Sequence, residues 1–328
     1  MKYNGFVFIL FFLLTSCAVS KTQVQEGPVA YRSEAYALCK PGTGHSFSDL
    51  ARIIYGDEKK VWKIEDANQG GMMKSSPLIA IPLKEKNRGG IYEDGYQSVP
   101  ILCYHKFGEG KKSALNTPPG LFRQHMAYLK SNGYRVISPG DLLDFLEYRR
   151  QIPKKAVLIT IDDGFKSVYD IAWPILEEFG FTATLFVYTD YIGLSKKALS
   201  WEDLKILKSR GFTIGSHSVS HSDLTRKGEQ ETEEDFSNRK QKEIYLSKKI
   251  IDEKLNQNTV FFSFPYGKYN SDIVTMTGQA GYKLAVTVDR GSNPFFTNPL
   301  ALKRDMILKK DIDSFVSRLK IFNNLSLK

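Results

Sequence analysis

Five short runs of β-branched and aromatic residues in this chain each end close to a polar side chain of catalytic type, and that placement restricts the fold more than any other feature. His105 comes just after Cys103, Asp162 and Asp163 after Ile161, His217 and His221 after Ile214, Tyr266 after Phe264, and Asp289 after Val288. Runs at 99–103, 156–161, 182–189, 212–214, 260–264 and 282–288 read as strands. Amphipathic stretches at 121–132, 139–148, 168–179, 201–209, 235–255, 271–280 and 312–322 read as helices. This alternation predicts an α/β fold around a parallel sheet, open or closed as a barrel. Polar residues gathered at the C-terminal ends of several strands are what a (β/α) barrel needs to build a site on one face.

Adjacent carboxylates leaving a strand point to opposite sides unless the backbone turns, and Gly164 permits such a turn. One aspartate is then free to bind a metal while its neighbour faces a substrate. His217 and His221 are spaced to meet one ion from a loop or a single helical turn. Two imidazoles and a carboxylate with open coordination positions suit a hydrolytic site for one divalent ion, with zinc expected and cobalt or nickel fitting the same ligands. Taken singly, Asp-Asp-Gly also reads as a solvated turn and the histidine pair as a polar loop. Their conjunction at successive strand ends is what points to a site.

Thr160-Ile161-Asp162-Asp163-Gly164, His217-Ser218-Val219-Ser220-His221 and Phe264-Pro265-Tyr266-Gly267 closely resemble three ordered motifs of the polysaccharide deacetylase family, the NodB-homology or carbohydrate esterase family 4 domain. The resemblance extends over residues 98–328. It implies a distorted (β/α) barrel that hydrolyses N-acetyl, occasionally O-acetyl, groups of glycans with the help of a metal. It also implies Asp162 as the catalytic base, Asp163, His217 and His221 as metal ligands, and the backbone N–H of Tyr266 as the oxyanion donor, held by the fixed φ of Pro265. Two positions depart from the pattern. The arginine expected two residues before the proline of the third motif is Ser263, which leaves Arg290 or Arg304 to orient the base. No histidine follows His221, so the family's late histidine acid has no counterpart. Tyr104-His105 resembles the entry to a subgroup acting on extracellular poly-N-acetylglucosamine, which makes His105 the candidate acid, with a structural role beside the site as the alternative.

Upstream, Lys2 precedes an apolar run over 6–14 that is too short to span a bilayer and suits an export signal. Leu14-Thr15-Ser16-Cys17 resembles a lipobox, which predicts lipidation of Cys17 at the end of a signal peptide over 1–17 and anchoring to a bacterial membrane, at its periplasmic or outer-membrane face. An ordinary signal with an incidental cysteine is the alternative. Residues 18–34 read as a polar tether. Over 35–84, a possible N-cap at Ser46, apolar positions Phe47, Leu50, Ile53 and Ile54, a second helix at 61–67 and a closing strand at 78–81 predict a βααβ module. Leu50-Ala51, Tyr55-Gly56, Ile64, Asn68 and Ile81-Pro82 resemble a lysin-motif (LysM) domain, which implies binding of N-acetylglucosamine-containing glycans. Residues 85–97 read as a linker.

The net charge of +10 comes from basic residues scattered among acids, without an arginine-rich stripe, so nucleic acid is excluded as a partner while anionic wall polymers and lipid head groups remain. Cys39 and Cys103 are free to pair in an oxidising compartment, although Cys103, inside an apolar run, reads as a buried thiol. The Lys- and Glu-dense stretch 226–254 reads as a solvated helix face, Trp173 and Trp201 as core, and His45 and His125 as surface or partly buried residues.

These features point to a membrane-anchored, metal-dependent N-deacetylase of a GlcNAc-containing polysaccharide. Peptidoglycan is suggested by the LysM-like module and secreted poly-N-acetylglucosamine by Tyr104-His105. A glycan-binding lipoprotein without turnover and an O-acetyl esterase are the alternatives.

Overall fold

The computed structural model describes residues 29–40, 45–68, 78–110, 113–308 and 311–325, so the segment read as an export signal and Cys17 lie outside the described residues. The chain divides into two compact units, 1–83 and 84–328.

In the first unit, strands β1 (Val29–Arg32), β2 (Tyr36–Cys39) and β3 (Ile79–Pro82) form an antiparallel sheet in the order β1-β2-β3. Helices α1 (Phe47–Tyr55) and α2 (Val61–Ala67) lie between β2 and β3 in sequence and share a core with them built on Ala37, Leu50, Ala51, Ile64 and Ile81. Ser46 caps α1 through a capping box with Asp49, satisfying donors that a helix N-terminus leaves open. The described end of the segment read as a tether is thus a strand, formed by the β-prone Val29-Ala30-Tyr31 run pairing with β2. The residues that suggested the module hold it together: Tyr55 Oη donates to the Pro82 carbonyl at 2.7 Å. The Asn68 amide donates to the carbonyls of Ile64 and Ala80 at 2.7 Å each and accepts from the Ala80 N–H at 3.0 Å.

The second unit is built on β4 (Gly95–Tyr104), β5 (Ala156–Asp163), β6 (Thr184–Val187), β7 (Thr213–Ser216), β8 (Phe261–Ser263) and β9 (Leu284–Val286), paired in parallel in the order β9-β8-β7-β6-β5-β4. Every residue of β5 is buried, as expected of a parallel strand covered on both faces. The sheet curls into a mixed half-barrel. β10 (Ser292–Pro294) runs antiparallel to β4, and the chain then returns between β9 and β4. There Leu302 exchanges hydrogen bonds with Ala285 and Thr287 (2.9 and 2.8 Å), and β11 (Asp305–Met306) pairs in parallel with β4. This return carries Arg304 into the interior.

Several details differ from the sequence-based expectations. Residues 85–97 belong to the second unit: Ile91–Tyr92 pairs with Gly95–Tyr96, and Gln97 is buried. The helix expected over 312–322 stops at Val316, after which β12 (Phe322–Asn324) pairs antiparallel with Gly95–Gln97. Phe315 and Leu319 still reach the same core, which is why their spacing imitates a longer helix. The helical stretches at 168–179 and 235–255 each contain a π-turn, at Val168–Ala172 and Lys242–Leu246. Cys39 and Cys103 are both buried free thiols. His125 is wholly buried: its ring stacks on Phe315 with 4.0 Å between centroids and its Nδ1 meets Tyr104 Oη at 3.1 Å.

Candidate active site

The C-terminal ends of β4, β5, β7 and β8 converge on a cleft of about 250 Å³ lined by His105, Asp162, Asp163, His217, His221, Phe264, Tyr266 and Met306 among others. The backbone leaves ordinary strand geometry at the ends of β5, β7 and β8. Asp163, Ser218, His221 and Tyr266 have φ of 78°, 72°, 61° and 58°, four of the six non-glycine residues with positive φ among those described. Such conformations are costly for L-residues and persist where the surrounding structure enforces them. At Asp163 the turn starts one residue before Gly164, whose own φ is 88°, and this separates the two carboxylates.

Asp162 is buried, and its two oxygens meet the Arg304 guanidinium in a bidentate pair, Nη1 to Oδ1 at 2.8 Å and Nη2 to Oδ2 at 2.7 Å. Arg304 is fully satisfied, donating also to the Thr287 carbonyl (2.7 Å), Thr160 Oγ1 (3.1 Å) and Ser263 Oγ (2.9 Å). The Ser263 hydroxyl in turn donates to Asp162 Oδ2 at 3.2 Å. Burial alone raises the Asp162 pKa, but the charge and hydrogen bonds of Arg304, with His217 nearby, outweigh it and hold the carboxyl well below the usual carboxylate range. Of the two arginines open to this role, Arg290 instead sits beside Asp305 at 3.4 Å and is largely exposed.

Asp163 lies on the other side of the turn. Its Oδ1 is 3.7 Å from His217 Nε2 and 3.6 Å from His221 Nε2, and the three donor atoms all lie within 4.8 Å of one another. His217 Nδ1 is 2.7 Å from the Ser263 carbonyl, which only accepts, so the ring proton is on Nδ1 and the Nε2 lone pair faces Asp163. Burial pushes the His217 pKa down to about 3 and lowers that of His221 as well. Both rings are therefore neutral at pH 7, the form that ligates a cation. Burial and the charge of Asp162 push Asp163 up to about 7, a cost that a cation at these three atoms would remove. The donor chemistry thus fits one divalent ion held by Asp163, His217 and His221.

The histidine loop is positioned by Glu243. Its buried carboxylate accepts from the N–H groups of Val219 (2.8 Å) and Ser220 (2.9 Å) and from Ser220 Oγ (2.6 Å). This residue was concealed in the sequence, because its Lys- and Glu-rich neighbourhood reads as a solvated face and only the fold turns this one carboxylate inward. His105 lines the cleft, with a ring nitrogen within 4.8 Å of an Asp162 oxygen and Cys103 Sγ. Burial lowers the His105 pKa, and the charge of Asp162 opposes the shift. Tyr266 closes the cleft with its ring edge-on to His221, 4.5 Å between centroids. A Cβ at Gly267 would lie 2.3 Å from Val288 Cγ2 and 2.6 Å from Val288 N, so only glycine lets this turn approach the next strand end.

Comparison with known proteins agrees with this geometry. A family model described as polysaccharide deacetylase matches residues 149–285, a span that holds Asp162, Asp163, His217, His221, Glu243, Ser263 and Tyr266 but neither His105 nor Arg304. The curated protein "Putative polysaccharide deacetylase YxkH" of Bacillus subtilis is 33% identical over 194 residues, covering 59% of this chain and 66% of its own. A protein of Staphylococcus aureus named poly-beta-1,6-N-acetyl-D-glucosamine N-deacetylase is 24% identical over 209 residues, covering 60% of this chain and 69% of its own. The chain thus spans about two thirds of the length of these curated relatives. Among solved structures, the Streptococcus pyogenes deacetylase PplD superposes with a TM-score of 0.62 at 29% identity, covering 68% of this chain and 98% of that one. A Bacillus cereus polysaccharide deacetylase, BC0361, superposes with a TM-score of 0.58 at 22% identity, covering 76% of this chain and 75% of that one, and speaks for the fold alone. With these matches and the curled half-barrel they share, the chain belongs to the polysaccharide deacetylase family, hydrolases of C–N bonds that depend on a metal.

Proposed function

We propose that the chain removes N-acetyl groups from an N-acetylglucosamine polymer of the bacterial cell envelope. The observation that carries this reading is the ionised Asp162, clamped by Arg304 and set beside two neutral imidazoles and a second carboxylate. β-1,6-linked poly-N-acetylglucosamine is favoured over peptidoglycan by the name of the staphylococcal relative and by the Tyr104-His105 strand end. The lipobox-like Leu14-Thr15-Ser16-Cys17 supports a lipid anchor on Cys17, and the LysM-like first unit supports retention near glycan.

Asp163, His217 and His221 would hold the ion, zinc for this ligand set, which supplies Lewis acidity toward the acetyl carbonyl and lowers the pKa of water. Asp162 Oδ takes the proton of the attacking water, and Arg304 keeps that oxygen ionised and aimed into the cleft. The Tyr266 N–H donates to the oxyanion that develops on the carbonyl. His105 would receive the proton from Asp162 and pass it to the departing sugar amine, since among the described residues no other histidine lines the cleft beyond His217 and His221. The guanidinium of Arg304 at Asp162 supplies the partner that Ser263 does not, which speaks against a barrel without turnover.

Acetate release from β-1,6-linked N-acetylglucosamine oligomers and from wall sacculi, before and after chelation and zinc restoration, tests this reading. Release confined to sacculi would reassign the substrate, and none from either would remove the N-deacetylase function. Replacing His105 by Ala should lower turnover about a hundredfold or more without changing zinc content, whereas normal turnover would sink its role as acid.

A further inference from the structure

An unbroken series of ring contacts leads away from the cleft, where His221 and Tyr266 line it, and the chemistry described so far uses only the His221 ring. Phe165 meets Tyr191 edge-on at 5.6 Å between centroids, Tyr191 stacks on Tyr188 at 5.1 Å and 20°, Tyr188 lies 5.3 Å from His221, and His221 lies 4.5 Å from Tyr266. The rings of Phe165, Tyr188 and Tyr191 are half-buried and Tyr266 is exposed, so none is sealed in the core as an isolated packing residue would be. Lysines cap both ends, Lys106 over Phe165 at 5.7 Å and Lys268 over Tyr266 at 6.0 Å.

The row is fixed to the residues beside the candidate metal site. The Thr189 and Asp190 N–H groups donate to the carbonyls of Ser218 and Val219 in the histidine loop at 3.2 and 3.0 Å. Leu199 N–H donates to the Gly164 carbonyl at 2.9 Å, and Phe165 bridges to Ala198, which fixes the far end to the Asp-Asp-Gly turn. Tyr191 Oη donates to the Lys197 carbonyl at 3.3 Å and fixes its own ring orientation. These ties hold the rings before any ligand arrives, so little conformational entropy remains to be lost on binding.

A pyranose presents an apolar C–H face and a polar rim, and the electron-rich face of an aromatic ring accepts such C–H groups. We propose that Phe165, Tyr191 and Tyr188 form a rail that binds sugar residues flanking the reacting one, so that the enzyme engages a neutral β-linked amino-sugar polymer across several units. This rests on the deacetylase reading and names how its substrate is held.

The test compares kcat/KM on β-1,6-linked N-acetylglucosamine dimer and hexamer, for the full chain carrying zinc and its Tyr191→Ala and Tyr191→Phe variants. The wild-type hexamer-to-dimer ratio should be well above one, should fall about five- to tenfold in Tyr191→Ala, and should persist in Tyr191→Phe, which keeps the ring. A ratio unchanged in Tyr191→Ala would overturn the rail. Hexamer binding to Asp162→Asn protein, followed by tyrosine fluorescence, gives a readout independent of turnover. Binding weakened by Tyr191→Ala in that background supports the rail even if no acetate is released by the wild type, and binding unaffected by it rejects the rail even if acetate is released.

Discussion

At Asp162 and Arg304 two fully buried charges meet in bidentate geometry, with every remaining donor of the guanidinium on an oxygen. Removing one member of such a pair leaves the other charged and unpaired, which costs about 3–5 kcal/mol. Arg304→Leu should therefore lose stability of that order in urea titration and lower acetate release by about a hundredfold or more. The folded Asp162 pKa lies below its ordinary value of 3.8, so its stabilisation is complete above that pH and is lost only as pH falls toward the folded value. Without the guanidinium, burial dominates and the pKa rises, so the acid limb of the pH–rate profile should move to higher pH. An unmoved limb would separate Arg304 from the base. His125 acts in the same sense but at higher pH, and through burial rather than a charged partner. Burial lowers its pKa from 6.5 to about 4, so the unfolded chain binds a proton over that interval that the folded chain does not. Stability should fall as pH drops from 7 to 5, and His125→Gln should remove about 2 kcal/mol of that fall. At this scale Asp162, Asp163, His217 and His221 were legible because hydrolytic chemistry needs those residue types near strand ends. Arg304 was legible only as one of two arginines, because it reaches Asp162 from a return strand 142 residues later.

Among the elements, the histidine loop owes its shape to a helix that makes no direct contribution to the donor set. Glu243→Ala should leave two loop N–H groups and the Ser220 hydroxyl without their partner. Loss of such supporting contacts weakens metal binding by about 10–100-fold, which competition with a chromogenic chelator would register. Unchanged affinity would show that the loop is held well enough without Glu243, by the bonds from Ser218 N and His221 N to the Ser216 and Ser218 hydroxyls at 3.2 and 3.0 Å and by those from Thr189 and Asp190 N–H to the Ser218 and Val219 carbonyls. At Gly267, a Cβ would meet the Val288 backbone as well as its side chain, so Gly267→Ala must move the Tyr266 amide. Turnover should fall by about a hundredfold with KM changed far less, because an oxyanion donor acts mainly in the transition state. Each strand of the parallel run was legible from its β-branched content. The short antiparallel additions at Ile91–Tyr92, Ser292–Pro294 and Phe322–Asn324 were not, since two- and three-residue strands carry no period of their own and form only because β4 presents an edge.

On the scale of the whole molecule, each unit closes its own hydrophobic cluster: Leu50, Ala51, Ile64 and Ile81 in the first, and Leu102, Ile159, Leu185 and Leu204 among others in the second. Residues 84–328 alone should therefore fold, bind one zinc, and release acetate from soluble oligomers as the full chain does. Loss of retention on insoluble glycan in that fragment would assign the first unit its carrier role. The proposed deacetylation depends above all on Asp162 acting as the base beside a metal held by Asp163, His217 and His221. Acetate release by the zinc-restored wild type, compared with Asp162→Asn protein shown to carry the same zinc, tests it most directly. Zinc content should be equal and release should fall by about a hundredfold or more in the variant. Equal release at equal zinc would contradict it.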